Sequence, residues 1–375
     1  MASVIEQKAY DRTTEWNNAG WTGAGINVWN REGLEDHGIK TRARIGHAAP
    51  GATIYNYNHY MTINKNKVTN EFVDYNNEMI SGEDFIKRNN ITILTESRGA
   101  PGWPEALVQA KAEYFQELRN SCNILMFNSG GNNGADGVMG GALPEVQAVY
   151  AGACMLMGGK PKMASYSSLG DEYEEIDFST FTGTWSGTSF ASPYLAGISA
   201  LLQQRYGTDI TQNEVYAYFK MIAQPIDTGH MADDRYDYWS GYGIPILPHV
   251  DKKYIRMTIG STNYKIDGNL YSMDTAPFIK DKRTFVPIAF VALALGAKVS
   301  WDGKAKKVTI VKNNSTLEMY IDKKTYYVNK KEYKMDTAPF IKDSRTFVPI
   351  AFAALALNCK VAWCAEDGKV LILEQ

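Results

Sequence analysis

The residues best suited to do chemistry lie in the stretch Gly183-Thr184-Trp185-Ser186-Gly187-Thr188-Ser189-Phe190-Ala191-Ser192-Pro193. It places a small, flexible turn directly before an apolar run, 194–206, that reads as a helix stopped by Gly207. Ser189 is then at or beside a helix N-terminus, where backbone N–H groups lack partners and the dipole is positive. A hydroxyl there can cap the helix. It can also attack a carbonyl whose developing negative charge meets donors already in place. Such an attack requires a base, an acid behind the base, and a neutral donor across from the hydroxyl.

Residues of those types lie upstream. Ile26 and Val28 alternate with Asn27 and Trp29, so 26–32 reads as a strand, with Asn30 and Glu32 continuing its apolar face. A carboxylate in phase with buried residues is costly without a partner, and strand ends are where open α/β sheets build sites. His37 follows Glu32 by five positions. Further on, the apolar strand 124–127 runs into Asn128-Ser129-Gly130-Gly131-Asn132-Asn133-Gly134. Asn-Gly pairs form turns, and Asn132 also offers a neutral amide donor.

Gly-Thr-Ser-x-Ala-x-Pro ahead of an apolar helix resembles the nucleophile motif of the subtilisin-like serine proteases (subtilases), which casts Ser189 as the nucleophile. His37-Gly38-Ile39-Lys40 and the residues to Ile45 resemble the family's His-Gly-Thr-His segment, with Lys40 in place of the second His. Ala48-Ala49-Pro50-Gly51-Ala52-Thr53-Ile54-Tyr55 resembles the approach to its next strand, and the two matches select His37 over His47 as base. Counted from Gly23 and Gly25, the family's acid position falls on Glu32; a one-gap alignment puts Asn30 there instead. Glu32 is favoured over uncharged Asn30, and over Asp36, which adjoins His37 in sequence and is badly placed for its ring. The family usually inserts a long loop between acid and base, and here it is missing.

The resemblance further implies that Asn132 is the side-chain oxyanion donor. Strand 91–99 resembles one whose backbone pairs with an extended substrate, so Ser97, Arg98 and Gly99 are expected to bind substrate, together with Gly130 and Gly131. Arg98 stands where the family's pocket wall is usually apolar. Segments 144–153 and 163–170 match further landmarks, and Gly241-Tyr242-Gly243 resembles the close of the catalytic domain. Helices are expected from residue 5 to near Asn18, over 104–119 and over 212–222.

The chain has 375 residues, 45% of them apolar, and a formal net charge of −2, which describes an ordinary globular protein and gives no reason to expect nucleic acid as a partner. No apolar run is long enough to span a membrane, residues 1–12 do not read as a signal peptide, and no pro-segment is expected before residue 5. The compartment stays open. Cys122, Cys154, Cys359 and Cys364 lack metal spacing; Cys359 and Cys364 could pair across a hairpin, with buried free thiols the favoured reading. No loop has calcium-binding spacing.

After Pro248 the composition changes. Met273-Asp274-Thr275-Ala276-Pro277-Phe278-Ile279-Lys280-Asp281 recurs from Met335, and Arg283-Thr284-Phe285-Val286-Pro287 recurs from Arg345, both 62 residues on. Each unit reads as a strand, a hairpin, a short helix beginning near its second Pro, and a closing hairpin turned at Asp302-Gly303 or Asp367-Gly368. The units resemble the copper amine oxidase N-terminal-like repeat of bacterial surface proteins. Residues 251–375 contain no His, so an imidazole copper site cannot be built there. The expectation is an α/β catalytic domain over 1–248, with a mostly parallel seven-stranded sheet flanked by helices. A smaller α+β domain over 249–375 follows, made of repeats 252–313 and 314–375. The expected function is a serine endopeptidase acting on peptide or protein through Glu32, His37, Ser189 and Asn132, without cofactor or metal, whose second domain serves attachment, as to a cell envelope. The alternative is a pseudo-protease that binds peptide or envelope partners without cutting.

Overall fold

A computed structural model describes residues 4–57, 62–64, 67–69, 71–74, 76–97, 105–134, 148–170, 176–232 and 235–375. The chain divides into two compact units, Met1–Val250 and Asp251–Gln375.

The first unit is built on one sheet. Its strands are β1 (Asn27–Asn30), β2 (Thr53–Asn56), β3 (Ile91–Glu96), β4 (Leu125–Ser129), β5 (Val149–Met157), β6 (Lys160–Met163) and β7 (Phe178–Phe181). They run in the order β6-β5-β4-β3-β1-β2, with β7 also paired to β5. Every pairing is parallel except β5 with β6, which form a hairpin. Parallel strands are covered on both faces and need apolar residues on both. Accordingly Val28, Trp29, Ile93, Leu94, Leu125, Met126 and Phe127 are all buried.

Helices supply the two layers. Helices α3 (Gly82–Arg88) and α4 (Glu105–Cys122) cover one face, where Phe85, Phe115 and Leu118 pack on Trp29, Leu94 and Met126. The other face carries α2 (Asp36–Ala48) and α5 (Ser192–Tyr206), which pack on each other. Helix α5 is buried at nearly every position, as expected of a helix apolar on all sides. Gly197 lets α2 approach it closely: a Cβ there would lie 2.7 Å from the Ile45 carbonyl oxygen. Helix α1 (Val4–Asn18) ends where the sequence indicates, and α6 (Gln212–Ile222) opens on a capping box of Thr211 and Glu214.

The strand expected over 26–32 stops at Asn30. Arg31 donates one more bond to the Thr95 carbonyl, and the Glu32 N–H then turns back to the Asn30 carbonyl at 2.7 Å. Glu32 therefore leaves the sheet in a turn at the C-terminal ends of β1 and β3, instead of continuing the Ile26/Val28 face.

The second unit contains the duplication. Its elements are β8 (Tyr254–Thr258), β9 (Asn263–Ile266), β10 (Asn269–Ser272), β11 (Phe278–Lys280), β12 (Arg283–Pro287), α7 (Ile288–Ala294), β13 (Lys298–Asp302), β14 (Lys307–Lys312), β15 (Ser315–Tyr320), β16 (Thr325–Val328), β17 (Lys331–Lys334), β18 (Phe340–Lys342), β19 (Arg345–Pro349), α8 (Ile350–Ala356), β20 (Cys359–Cys364) and β21 (Lys369–Glu374). Both short helices start directly after the second Pro of their repeat. The repeats are interwoven. One five-stranded sheet runs β10-β9-β8-β21-β20 and the other β13-β14-β15-β16-β17. Each thus takes three strands from one copy and two from the other. Between them, β12 pairs with β19, and Arg283 with Asp336 and Arg345 with Asp274 form reciprocal ion pairs. Met273 and Met335 lie in the shared core. Cys359 and Cys364 stand on one strand and are free thiols, so the hairpin does not bring them together.

Candidate active site

The site gathers at the C-terminal ends of β1, β3 and β4. Glu32 is 3% exposed, and its two oxygens divide the work. Oε2 lies 3.3 Å from His37 Nδ1, and Oε1 accepts the Ser97 N–H at 3.1 Å. His37 is the second residue of α2, and its side chain stays 44% exposed. Gly38 makes so short a link possible. A Cβ at Gly38 would stand 1.8 Å from the Gly33 carbonyl oxygen and 3.3 Å from the Glu32 Cβ. Only a glycine there lets the first turn of α2 rest on the turn that carries the acid.

The other candidate acids are engaged elsewhere. Asn30 points inward, and its Nδ2 donates to Thr41 Oγ1 at 2.9 Å and Asn56 Oδ1 at 3.1 Å, tying β1 and β2 to α2. Asp36 is exposed and pairs with Lys40 one turn along the helix. Among the three, Glu32 alone meets the His37 ring.

Ser189 sits in a 3-10 turn, Thr188–Phe190, between Gly187 and α5. Gly187 has φ +134°, a conformation that side chains disfavour. The end of β3 is stitched to this turn. Ser97 Oγ donates to the Ser189 carbonyl at 3.0 Å, Ser189 Oγ lies 3.5 Å from the Ser97 carbonyl, and Thr95 Oγ1 and Ser192 Oγ are 2.8 Å apart. The His37 ring packs against Phe190, the neighbour of Ser189, at 5.6 Å between centroids. Among the described residues no hydrogen bond joins His37 to Ser189 Oγ.

Asn132 lies in the loop after β4. Its Oδ1 accepts the Thr188 N–H at 2.7 Å and lies 3.0 Å from Thr188 Oγ1. These bonds fix the amide orientation, because only the oxygen can accept an N–H. The Nδ2 is left as the donor beside the Ser189 turn. Gly131 donates to Thr188 Oγ1 at 3.1 Å, and Gly130 donates to the Ala151 carbonyl at 2.9 Å. Both glycine N–H groups are therefore occupied inside the protein. Arg98 and Gly99 lie outside the described residues.

Three residues not singled out in the sequence hold this arrangement. Gly38 sets the Glu32–His37 spacing, Thr188 aims Asn132, and Arg44 joins α2 to the Ser189 turn. Thr188 had a signal, its place inside Gly-Thr-Ser; Arg44 had none, since an Arg on a helix reads as solvated. His47, at the far end of α2, is exposed on one side and has its pKa lowered by partial desolvation and by Arg44. It packs on Tyr10 and Tyr194, away from Glu32.

A carboxylate, an imidazole, an oriented amide and a helix-terminal serine follow one another in this order along the chain, and the chain also matches a known sequence family. The family model described as "Subtilase family" aligns with residues 6–243. The chain belongs to the subtilase family. Residues 246–292 and 265–372 match the "Copper amine oxidase N-terminal domain" model. The stretch of this subtilase related to a thermostable alkaline protease of Halalkalibacterium halodurans is 31% identical over 146 residues, covering 36% of this chain and 37% of that protein. Subtilisin DY of Bacillus licheniformis is 28% identical over 142 residues, covering 35% and 49%. The chain thus spans under half the length of the curated relatives it matches. Similar solved structures include a lanthipeptide protease (TM-score 0.45, 15% identity, 65% of this chain and 93% of that one). A cold-adapted subtilisin-like serine proteinase gives TM-score 0.42 at 16% identity, covering 60% and 91%. No described helix of this subtilase is long and apolar enough to cross a membrane.

Proposed function

We propose that this subtilase is a serine endopeptidase whose triad is Glu32, His37 and Ser189. His37 takes the proton of Ser189 Oγ as the oxygen attacks the scissile carbonyl. Glu32 holds the imidazole with Nδ1–H toward itself and stabilises the imidazolium. The Asn132 Nδ2 and the Ser189 N–H receive the oxyanion, and His37 returns the proton to the leaving amine; water then releases the acyl group by the same steps. The observation that carries this reading is the buried Glu32 carboxylate, bonded at once to His37 and to Ser97, whose hydroxyl holds the Ser189 peptide. The absence of a His37–Ser189 bond fits a resting site, since catalytic hydrogen bonds are often loose before substrate binds.

The substrate is a peptide or protein laid along Ser97, and the interwoven second unit serves for attachment. Ser189→Ala tests the catalytic role. The wild-type protein is expected to react with a fluorophosphonate and to cleave a peptide library, and the variant to do neither. Labelling that survives the substitution refutes the assignment of Ser189. The same missing His37–Ser189 bond also supports a second reading, a subtilase-like binder that does not cut. A folded wild-type protein that binds peptide, resists the fluorophosphonate and shows no turnover would establish it.

A further inference from the structure

Arg44 is buried, at 3% exposure, yet among the described residues its guanidinium pairs with no carboxylate. Its Nη2 donates to the Phe181 carbonyl at 2.7 Å, and its Nε donates to the Phe190 carbonyl at 3.3 Å. The plane of charge lies over the Tyr194 ring, 4.6 Å from the centroid. Those three groups belong to the end of β7, the turn that carries Ser189, and the first turn of α5. Room for the guanidinium is left by Gly183, where a Cβ would stand 3.1 Å from Nη1 and where φ is +74°.

The Phe190 carbonyl is the point at which the helix ladder skips. The Phe190 N–H bonds to Gly187, the Ala191 N–H to Thr188, and the Leu195 N–H to Ala191. The 3-10 turn and α5 meet between these bonds, and no described backbone N–H reaches the Phe190 oxygen. A buried carbonyl left so would be costly. Arg44 supplies the missing donor. Arg44 also stands seven residues from His37 on the same helix, close to two full turns, so both side chains leave one face of α2.

We infer that Arg44 is the positioning residue that locks the nucleophile turn to the helix bearing the base. Its guanidinium fixes the carbonyl next to Ser189 and the end of β7 relative to α2, and so sets the distance between His37 and Ser189. The inference rests on the protease reading of Ser189. A lysine cannot replace it fully, because an ammonium lacks the planar fork that reaches two carbonyls in different directions.

The test measures the rate of fluorophosphonate acylation and the kcat and KM for a peptide substrate in the wild type, Arg44→Ala and Arg44→Lys. Thermal unfolding is followed for each, and Arg44→Ala is also assayed with added guanidinium. Displacing reacting groups by about 1 Å can cost on the order of 10²-fold in rate. The acylation rate and kcat of Arg44→Ala should therefore fall by roughly that factor with KM within about threefold. Guanidinium should restore part of the rate, and Arg44→Lys should fall between. A purely structural role would lower the unfolding temperature but leave the folded fraction reacting at the wild-type rate, without rescue, and that result overturns the inference. If Arg44→Ala does not fold, an undiminished rate in folded Arg44→Lys overturns it equally. Wild-type protein that neither labels nor cleaves removes the protease reading and this inference with it; a reactive wild type with unimpaired Arg44 variants removes this inference alone.

Discussion

Substituting Gly38 by alanine sets two effects of known size against each other. Alanine is favoured over glycine inside a helix by about 0.8–1.0 kcal/mol, and Gly38 is a helical residue of α2. The new methyl, however, would lie 1.8 Å from the Gly33 carbonyl oxygen and 2.9 Å from its carbon. Neither atom is the end of a flexible side chain. Relief requires the first turn of α2 to retreat from the Glu32–Gly33 turn by about 1 Å, against the bonds that Asn56 Nδ2 and Thr41 Oγ1 make to the Gly38 carbonyl, both 3.0 Å. Overpacking of this kind costs about 1–3 kcal/mol, so it outweighs the gain in helix propensity. The net loss is up to about 2 kcal/mol, or a few degrees in unfolding temperature for a unit of this size. Because the shift separates His37 from Glu32, acylation at Ser189 should slow by roughly 10²-fold. Gly46 provides the control. It lies on the same helix, and a Cβ there meets nothing within 4 Å. Gly46→Ala should stabilise the protein by up to about 1 kcal/mol and leave acylation unchanged. Thermal unfolding by circular dichroism and stopped-time fluorophosphonate labelling read both quantities. If Gly38→Ala stabilises as Gly46→Ala does, with an unaltered labelling rate, the packing of α2 on the acid turn is not as described.

Other outcomes follow from the same geometry. Glu32→Gln removes the charge behind His37 and should lower kcat about 10⁴-fold, a magnitude known for other triads; Glu32→Asp, one methylene short of a ring already 3.3 Å away, should also be impaired, and wild-type kcat in both variants would exclude Glu32 as the acid. The native protein should give one accessible thiol to Ellman's reagent, the half-buried Cys122, and four after denaturation. Cys154, Cys359 and Cys364 are buried, and burial pushes the Cys359 thiol up to about 11; fast release of two or more equivalents from native protein would contradict this. His47 is exposed on one side, but the Tyr10 and Tyr194 rings cover the other, and this partial desolvation, with Arg44 second, holds its pKa below its usual 6.5. The unfolded chain then binds the proton more readily, so the stability from neutral His47 is complete above pH 6.5 and is lost as pH falls toward the lowered value. His47→Gln should flatten the decline in stability between about pH 7 and about pH 5, and parallel curves for the two proteins would remove His47 as a cause.

Parts of this molecule were legible in the sequence because local chemistry decided them. Helix α5 shows as an unbroken apolar run ended by Gly207, and Ser189 at the entry to that helix, His37 at the start of α2 and Asn132 in the turn after β4 stand in the elements that their neighbours indicate. The end of β1 was misjudged, since alternation carried past Asn30 while the Glu32 amide turned back on it. Asn30 looked like a rival acid because its role as a tie among β1, β2 and α2 exists only once the helix has crossed the strands. The interweaving of the second unit could not be read at all. A duplication fixes the pattern of every strand, but two near-identical copies offer each strand equivalent partners. Only the short connection from β14 to β15 and the closure of β21 on β8 decide that sheets are shared.

On the proposed triad, the short link between acid and base and the identity of the acid explain each other. With four residues between Glu32 and His37, α2 has to begin at once, and its first turn is pressed onto the acid's own backbone at Gly38. The acid has already left the strand, so its carboxylate must cross from the turn back to the ring. The longer reach of Glu suits that crossing, and its second oxygen finds a fixed N–H at Ser97. Burial of the charge is then offset by hydrogen bonds that include those to His37 and Ser97, on two neighbouring elements. An aspartate in this turn would need the ring to come closer, which the contact of Gly38 with the Gly33 carbonyl already blocks, and a longer loop would free the helix to move. On the proposed triad, a glutamate as acid and a short link to the base therefore belong together, and changing either feature alone should weaken the site.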